Sequence, residues 1–224
     1  MDMKKRSGIK SRVGSGHSSY ECFVPSRLDS NHPKIDYDQD LVFLLSEANV
    51  APSKLDENVI HKIDHSFINL YAKKESSYSS QIEGTLATFS DLLKYEVGIF
   101  QDVSSDVDEI KNYIDALNYG LERLETLPLS LRLIKEMHAI LLTGVRGMHK
   151  SPGEFRHSQN WVGGSQIQNA QYVPPSINYL DSLLSNLEIY IHQDDKIPTL
   201  IKAAIIHVHF EMIHPFLDGN GRMG

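Results

Sequence analysis

The stretch His214-Pro215-Phe216-Leu217-Asp218-Gly219-Asn220-Gly221-Arg222-Met223-Gly224 packs a candidate base, a candidate metal ligand, glycines and an arginine into one short run. His214 titrates near neutrality and can take a proton from a hydroxyl. Asp218 offers a hard oxygen ligand of the kind Mg²⁺ accepts when it also touches phosphates. Gly219, Gly221 and Gly224 allow backbone conformations closed to other residues, and consecutive N–H groups in such a loop can form an anion-binding nest. Arg222 adds a planar fork of donors for phosphate oxygens. Together these residues describe a nucleotide-phosphate site with a general base beside it.

Working outward, Pro198 opens a helix with Ile201, Ala204, Ile205, Val208 and Met212 on its apolar face, and this helix delivers His214. Before it, Ser176 caps a helix carrying Ile177, Leu180, Leu183, Leu184 and Leu187. Asn160 to Pro175 reads as a short β-hairpin, with Trp161-Val162, Gly163-Gly164 and Tyr172-Val173 ahead of Pro174-Pro175. Val145 to Gln159 has no period and reads as a loop. Leu131, Ile134, Met137 and Leu141 mark a helix closed by Gly144, and Asp106 starts another with Val107, Ile110, Ile114, Leu117 and Leu121 on one side. Further back, Thr85 caps a helix bearing Leu86, Phe89, Leu92 and Leu93. Leu55, Val59, Ile63 and Phe67 recur every fourth residue in a helix expected to begin at Pro52, after a short helix within Asp36–Asn49. The fold class is therefore all-α with one small hairpin. Residues 1–35 are expected to be a largely irregular tail, 36–110 an N-terminal helical domain, and 111–224 a second helical core.

The terminal stretch resembles the signature of the Fic (Fic/DOC) family, H-P-F-x-[D/E]-G-N-G-R-x-x-R, at every specified position from His214 through Arg222. The family's second arginine would fall one residue beyond Gly224. The expectation is accordingly a Fic core without its C-terminal helices, either a fragment or a truncated product. Ser79-Ser80-Gln81-Ile82-Glu83-Gly84 is similar to the inhibitory motif [S/T]-x-x-x-E-[G/N] of the subclass whose inhibitory helix precedes the core, here around 75–84. The resemblance makes Glu83, with Ser79, the inhibitory residue. It makes Gln168, Asn169, Ala170, Gln171, Tyr172 and Val173 a flap that positions a target segment by β-strand addition. Gly153-Glu154-Phe155-Arg156 resembles a family loop before the flap, with Arg156 in a structural role.

The implied reaction is transfer of AMP from ATP to a Tyr, Ser or Thr hydroxyl of a target protein. His214 is the base, Asp218 the Mg²⁺ ligand, and Gly219, Asn220, Gly221 and Arg222 the phosphate binders. Two other readings stay open: an inactive Fic-fold remnant that serves as a binding module, and a related chemistry such as removal of AMP. His207 reads as a packed core or near-site histidine, and His61, His65 and His138 as structural or surface residues.

Composition sets the outer limits. The chain has 224 residues, 41% hydrophobic and 23% charged, as an ordinary globular protein does. Its net charge of −7 argues against a basic nucleic-acid binder. The lone Cys22 excludes an internal disulfide framework and fits a reducing compartment, so a cytoplasmic protein is expected. No apolar run approaches the ~18 residues that span a bilayer. A homo-oligomer is left open.

Overall fold

The first described element is a hairpin whose second strand carries the apolar run Cys22-Phe23-Val24. The computed structural model describes residues 7–29, 31–59, 65–99 and 105–224, without the side chains of His17, 51–59 and 65–69. Strand β1 (Gly8–Val13) pairs antiparallel with β2 (Tyr20–Pro25), in a register that sets Lys10 opposite Phe23 and Arg12 opposite Glu21. Successive strand residues face opposite sides. Cys22 and Val24 therefore point together into the core, where Cys22 is a buried free thiol. This corrects the expectation of an irregular tail over residues 1–35. Past the strands, the backbone of Leu28 is held by the buried Asn186 side chain, which accepts from its N–H at 2.8 Å and donates to its C=O at 2.9 Å. That amide replaces a strand neighbour, so the segment is fastened without a hydrophobic period of its own.

The chain divides into two compact units. One comprises the described residues of Met1–Pro33 together with Lys111–Gly224, and the other Lys34–Ile110. In the second unit, α1 (Gln39–Val59) remains helical through Pro52, where a separate helix was expected to begin. The Leu55–Val59–Ile63–Phe67 stripe lies outside the described side chains, and residues 60–64 outside the described residues. Helix α2 (His65–Ile82) is followed by α3 (Phe89–Glu96). The cap of α3 is Thr88 rather than Thr85: its hydroxyl accepts from the Asp91 N–H while the Asp91 carboxylate accepts from the Thr88 N–H, a closed capping box. Thr85 instead donates its hydroxyl to Glu109 at 2.6 Å.

The division falls within α4 (Ser105–Arg123). In the larger unit α5 (Leu131–Leu141), α6 (Ile177–His192) and α7 (Thr199–Ile213) come next, and a single turn, α8 (Asn220–Met223), ends the described chain. Ser130 caps α5 by accepting from the Leu133 N–H, and Glu188 of α6 accepts from the Leu131 N–H at 2.8 Å. The core joins Leu180, Leu183, Leu184, Leu187 and Tyr190 of α6 to Phe210 and Ile213 of α7, with Phe216 and the β2 residues. Burying each such side chain contributes roughly 1.5–3 kcal/mol.

Helix α7 turns a different side inward than its spacing suggests. His209, Phe210 and Ile213 are buried while Val208 is 53% exposed. The helix is apolar on nearly every side, so periodicity could not choose between faces. The result, among the described residues, is a mostly helical fold with one small two-stranded antiparallel sheet. Among the described residues no helix is long and apolar enough to cross a membrane.

Candidate functional site

Helix α7 ends at His214, whose backbone is left-handed at φ 50°, ψ 62°. Few non-glycine residues adopt this conformation. It turns the chain out of the helix, so the imidazole is carried at the start of a loop rather than along a helix face. That ring is largely buried. Its Nδ1 lies 3.9 Å from the Glu211 carboxylate. Burial chiefly, and then the Arg156 cation, push its pKa down to about 4, against a hydrogen bond to the Glu211 backbone that raises it. The ring is therefore neutral at pH 7 and able to accept a proton.

The loop after His214 is pinned from inside. Pro215 and Phe216 are buried. The Phe216 ring stacks on His138, with centroids 3.7 Å apart and planes at 9°, and packs beside Phe155 and Phe210. The Asn220 side chain closes the turn on itself, accepting from the Phe216 N–H and donating to the Phe216 C=O, both at 2.8 Å. Asn160 donates a second bond to that carbonyl at 2.8 Å. The Asn220 side chain, expected among the phosphate binders, is thus committed to the loop. What it leaves available is its backbone N–H in the first turn of α8, where the leading amides have no intrahelical acceptor. Gly219 precedes that turn at φ 77°, a conformation only glycine takes easily.

Asp218 is held through its backbone. Its C=O accepts from His138 Nε2 at 3.0 Å, and His138 Nδ1 accepts from the Gly153 N–H at 2.9 Å. These two bonds assign the tautomer: the proton sits on Nε2. Burial lowers the pKa of His138, outweighing the bond to the Asp218 carbonyl that raises it, and keeps the ring neutral. Reading His138 as an ordinary structural or surface residue missed this link. The signal was its position in the apolar stripe of α5, four residues after Ile134 and three before Leu141. The carboxylate of Asp218 has one oxygen 3.6 Å from Arg222 Nη2. Its other oxygen faces Gly147, where a Cβ would come within 3.0 Å of it. The guanidinium of Arg222 is almost wholly buried beside Asp218 rather than projecting from the loop.

Among the described residues no group of three or more His, Cys, Asp or Glu side chains could hold a metal. A lone carboxylate is what Mg²⁺ uses when substrate phosphates complete its shell, and Asp218 fits that limited role.

The expected flap reverses direction, but through one isolated bridge between Val162 and Tyr172 and a 3-10 turn over Ile167–Asn169. Val162 and Tyr172 exchange bonds at 2.8 and 3.1 Å, and the Gln171 N–H also donates to Val162 at 3.0 Å. Gln168 and Asn169 lie in the 3-10 turn, with Ala170 next, so they are not extended as a strand residue would be. The Tyr172 hydroxyl donates to the Met212 C=O at 2.6 Å. The Val173 C=O accepts from the Phe23 N–H of β2 at 2.9 Å and is already occupied. Between the β1–β2 hairpin and residues 167–173 lies a cleft of about 390 Å³, walled in part by Lys10, Arg12, Glu21 and Gln168.

Glu83 comes just after the end of α2, in the turn closed by Gly84 at φ 92°; its N–H donates to the Ser80 C=O at 3.1 Å. Ser79 lies in the last turn of α2. Both belong to the unit Lys34–Ile110, whereas His214 to Arg222 belong to the other. His207, expected as a packed core or near-site histidine, is exposed rather than in the core and is bonded through Nδ1 to the Gly224 C=O at 2.7 Å. The buried histidine of α7 is His209.

The larger unit is a helical core that presents a histidine, a carboxylate and a glycine-rich turn on one pinned loop. The sequence profile of the Fic/DOC family matches residues 128–224, and that of the Fic/DOC family N-terminal region matches residues 42–122. The chain belongs to the Fic/DOC family. It is 30% identical over 199 residues to Protein adenylyltransferase Fic of Drosophila mojavensis, covering 82% of this chain and 37% of that protein. It is 31% identical over 162 residues to the Drosophila grimshawi protein of the same name, covering 67% and 32%. The matches thus span about a third of the length of these curated relatives. Among solved structures, a Fic family protein from Desulfovibrio desulfuricans G20 is similar with a TM-score of 0.68 at 19% identity, over 86% of this chain and 57% of that one. A Fic domain containing signaling protein from Bacteroides thetaiotaomicron is similar with a TM-score of 0.57 at 23% identity, over 69% and 60%. These two likenesses concern the fold.

Proposed function

We propose that the chain carries a protein adenylyltransferase core that moves AMP from ATP to a Tyr, Ser or Thr hydroxyl of a target protein. The observation that carries this reading is the convergence of His214, Asp218 and the leading amides of α8 on a single loop fixed by Phe216, Asn220 and His138. His214, neutral above about pH 4, takes the proton of the target hydroxyl. The freed oxygen bonds to the α-phosphorus, the bond to the β-phosphate oxygen breaks, and pyrophosphate leaves. Backbone N–H groups of Gly219 to Arg222 bind phosphate oxygens, and the buried Arg222 guanidinium adds positive charge to the same loop. Mg²⁺, when bound, offsets phosphate charge, and Asp218 is the residue that would hold it. Glu83, with Ser79, restrains the reaction; the motif Ser79–Gly84 and its place at the end of α2 support that assignment. The names of the Drosophila relatives support the choice of AMP as the group transferred.

ATP labelled at the α-phosphate should mark target protein and ATP labelled at the γ-phosphate should not. His214→Ala should lower the α-label by roughly 10²–10⁴-fold. Label arriving from the γ-position, or full transfer by the alanine variant, would overturn the proposal.

The contact of Arg222 with Asp218 favours a second reading, in which the loop closes on itself and the fold binds partners without catalysis. Calorimetric titration with ATP and Mg²⁺ separates the two: the remnant takes up no nucleotide.

A further inference from the structure

We infer that Arg156 is a positioning residue that ties the base of the flap segment to His214, so that the target-facing loop and the proton acceptor move as one body. This rests on the reading of His214 as the base and of residues 168–173 as target-facing. Arg156 is 1% exposed and among the largest fully buried side chains. Its Nε donates to the His214 C=O at 2.9 Å, and its Nη2 to the Pro175 C=O at 2.6 Å and the Ile213 C=O at 3.4 Å. Its Nη1 reaches the Ser158 C=O at 3.5 Å, and its own N–H donates to the Pro215 C=O at 2.9 Å.

The partners divide into two sets. Ile213, His214 and Pro215 are the end of α7 and the start of the pinned loop. Pro175 is the point where the flap segment rejoins the core, immediately before α6. The rigid guanidinium fork fixes the distance between these sets, which a flexible ammonium cannot do.

All these partners are neutral carbonyls, so no carboxylate cancels the charge. Burial lowers the pKa of Arg156 to about 10, and it stays cationic at neutral pH. The left-handed turn at His214 exposes a carbonyl that continued helix would have bonded, and Arg156 occupies it. The charged groups facing His214 are Arg156 from the loop before the flap and Glu211 from α7, with the Asp218–Arg222 pair further along its own loop. Arg156 opposes protonation of the ring, and replacing it by a neutral residue shifts the titration of His214 upward.

Two variants of the whole chain separate geometry from charge. Arg156→Lys keeps the charge and loses the fork, whereas Arg156→Met loses both. Amide hydrogen exchange is the primary readout. In both variants, amides of Val162, Gln171 and Tyr172 and of Ile213, His214 and Phe216 should exchange faster together. AMP transfer should fall roughly 10²-fold, as a displaced reacting group predicts. The acid limb of kcat should move upward only in Arg156→Met, and NMR titration of His214 should show the same shift. Faster exchange confined to 213–216, with the flap amides unchanged, would overturn the coupling. If Arg156→Met does not fold, Arg156→Lys alone decides it by the same exchange pattern. A wild-type chain that transfers no AMP yet shows coupled exchange on substitution would sink the adenylyltransferase reading and leave only the mechanical coupling of the two segments standing.

Discussion

The loop at His214–Arg222 and the segment at 160–175 lie in the same unit but are built in opposite ways. In the first, the Phe216 backbone, the Asn220 side chain and the Asp218 carbonyl are all committed to partners within the fold. In the second, the backbone is fixed at the Val162–Tyr172 bridge and at Val173, while Gln168 and Gln171 stay exposed. The difference teaches where precision is needed. Proton transfer and phosphate binding depend on sub-ångström placement. Recognition of an extended backbone does not, provided that donors and acceptors remain open.

The sharpest way to break the contrast is to remove the anchor of the rigid loop. Phe216→Ala deletes a ring with no exposed surface that packs on His138, Phe155 and Phe210. A cavity of that kind costs about 3–5 kcal/mol. Urea unfolding should show the loss as a lower midpoint with an unchanged slope. A change under about 1 kcal/mol would mean that the hydrogen bonds of Asn220 and His138 hold the loop without the ring.

Legibility in the sequence divides along the same line. The loop's residue types carry their chemistry in one contiguous run, and glycines beside His and Asp can be read without coordinates. What holds the run in place cannot, because Arg156, His138 and Asn160 reach it from 56 to 80 residues away in sequence. Hydrogen-bond partners at such separations leave no local pattern. The β1–β2 hairpin was missed for a related reason. Cys22-Phe23-Val24 is too short to show a period, and what holds it is distant in sequence: the core residues around Cys22 and Val24, and the Val173 C=O that accepts from Phe23. The core-facing side of α7 was misread because an evenly apolar helix has no preferred face. Helices with a clear stripe, such as α5 and α6, were read closely, although Ser176 stands at the N-cap of α6 without a side-chain capping bond.

Acid probes the helix that carries the loop. Burial first, and repulsion from His32 second, depress the pKa of His209 to about 4. Its Nε2 is buried without a partner among the described residues. The folded state therefore resists a proton that the unfolded chain accepts near pH 6.5. This contribution is accordingly fully present above about pH 6.5 and is lost as pH falls from there towards about 4. A single such group contributes a slope of at most about 1.4 kcal/mol per pH unit. His209→Leu should flatten the fall in stability between pH 6.5 and 4 measured by urea titration. An unchanged slope would show that His209 is hydrated and titrates normally. His214 shares the direction and value, so the variant retains part of the slope.

The smallest expected effect is at the other pole of the comparison. Gln168 and Gln171 are exposed side chains, and the backbone bond of Gln171 to Val162 is made whatever side chain the residue carries beyond Cβ. Replacing both by alanine should shift stability by no more than about 0.5 kcal/mol. If the segment reads target backbone, the double variant should also keep its KM for protein target within roughly threefold, since main-chain bonds carry the affinity. Proline at position 168 or 171 is the informative contrast, because it removes a backbone N–H while leaving the surrounding residues in place. At 171 it breaks the bond to Val162 and should loosen the bridge; at 168 it should raise KM without lowering kcat. Equal effects of alanine and proline at 168 would mean that the segment reads side chains, and the contrast with the rigid loop would then be one of position rather than of recognition mode.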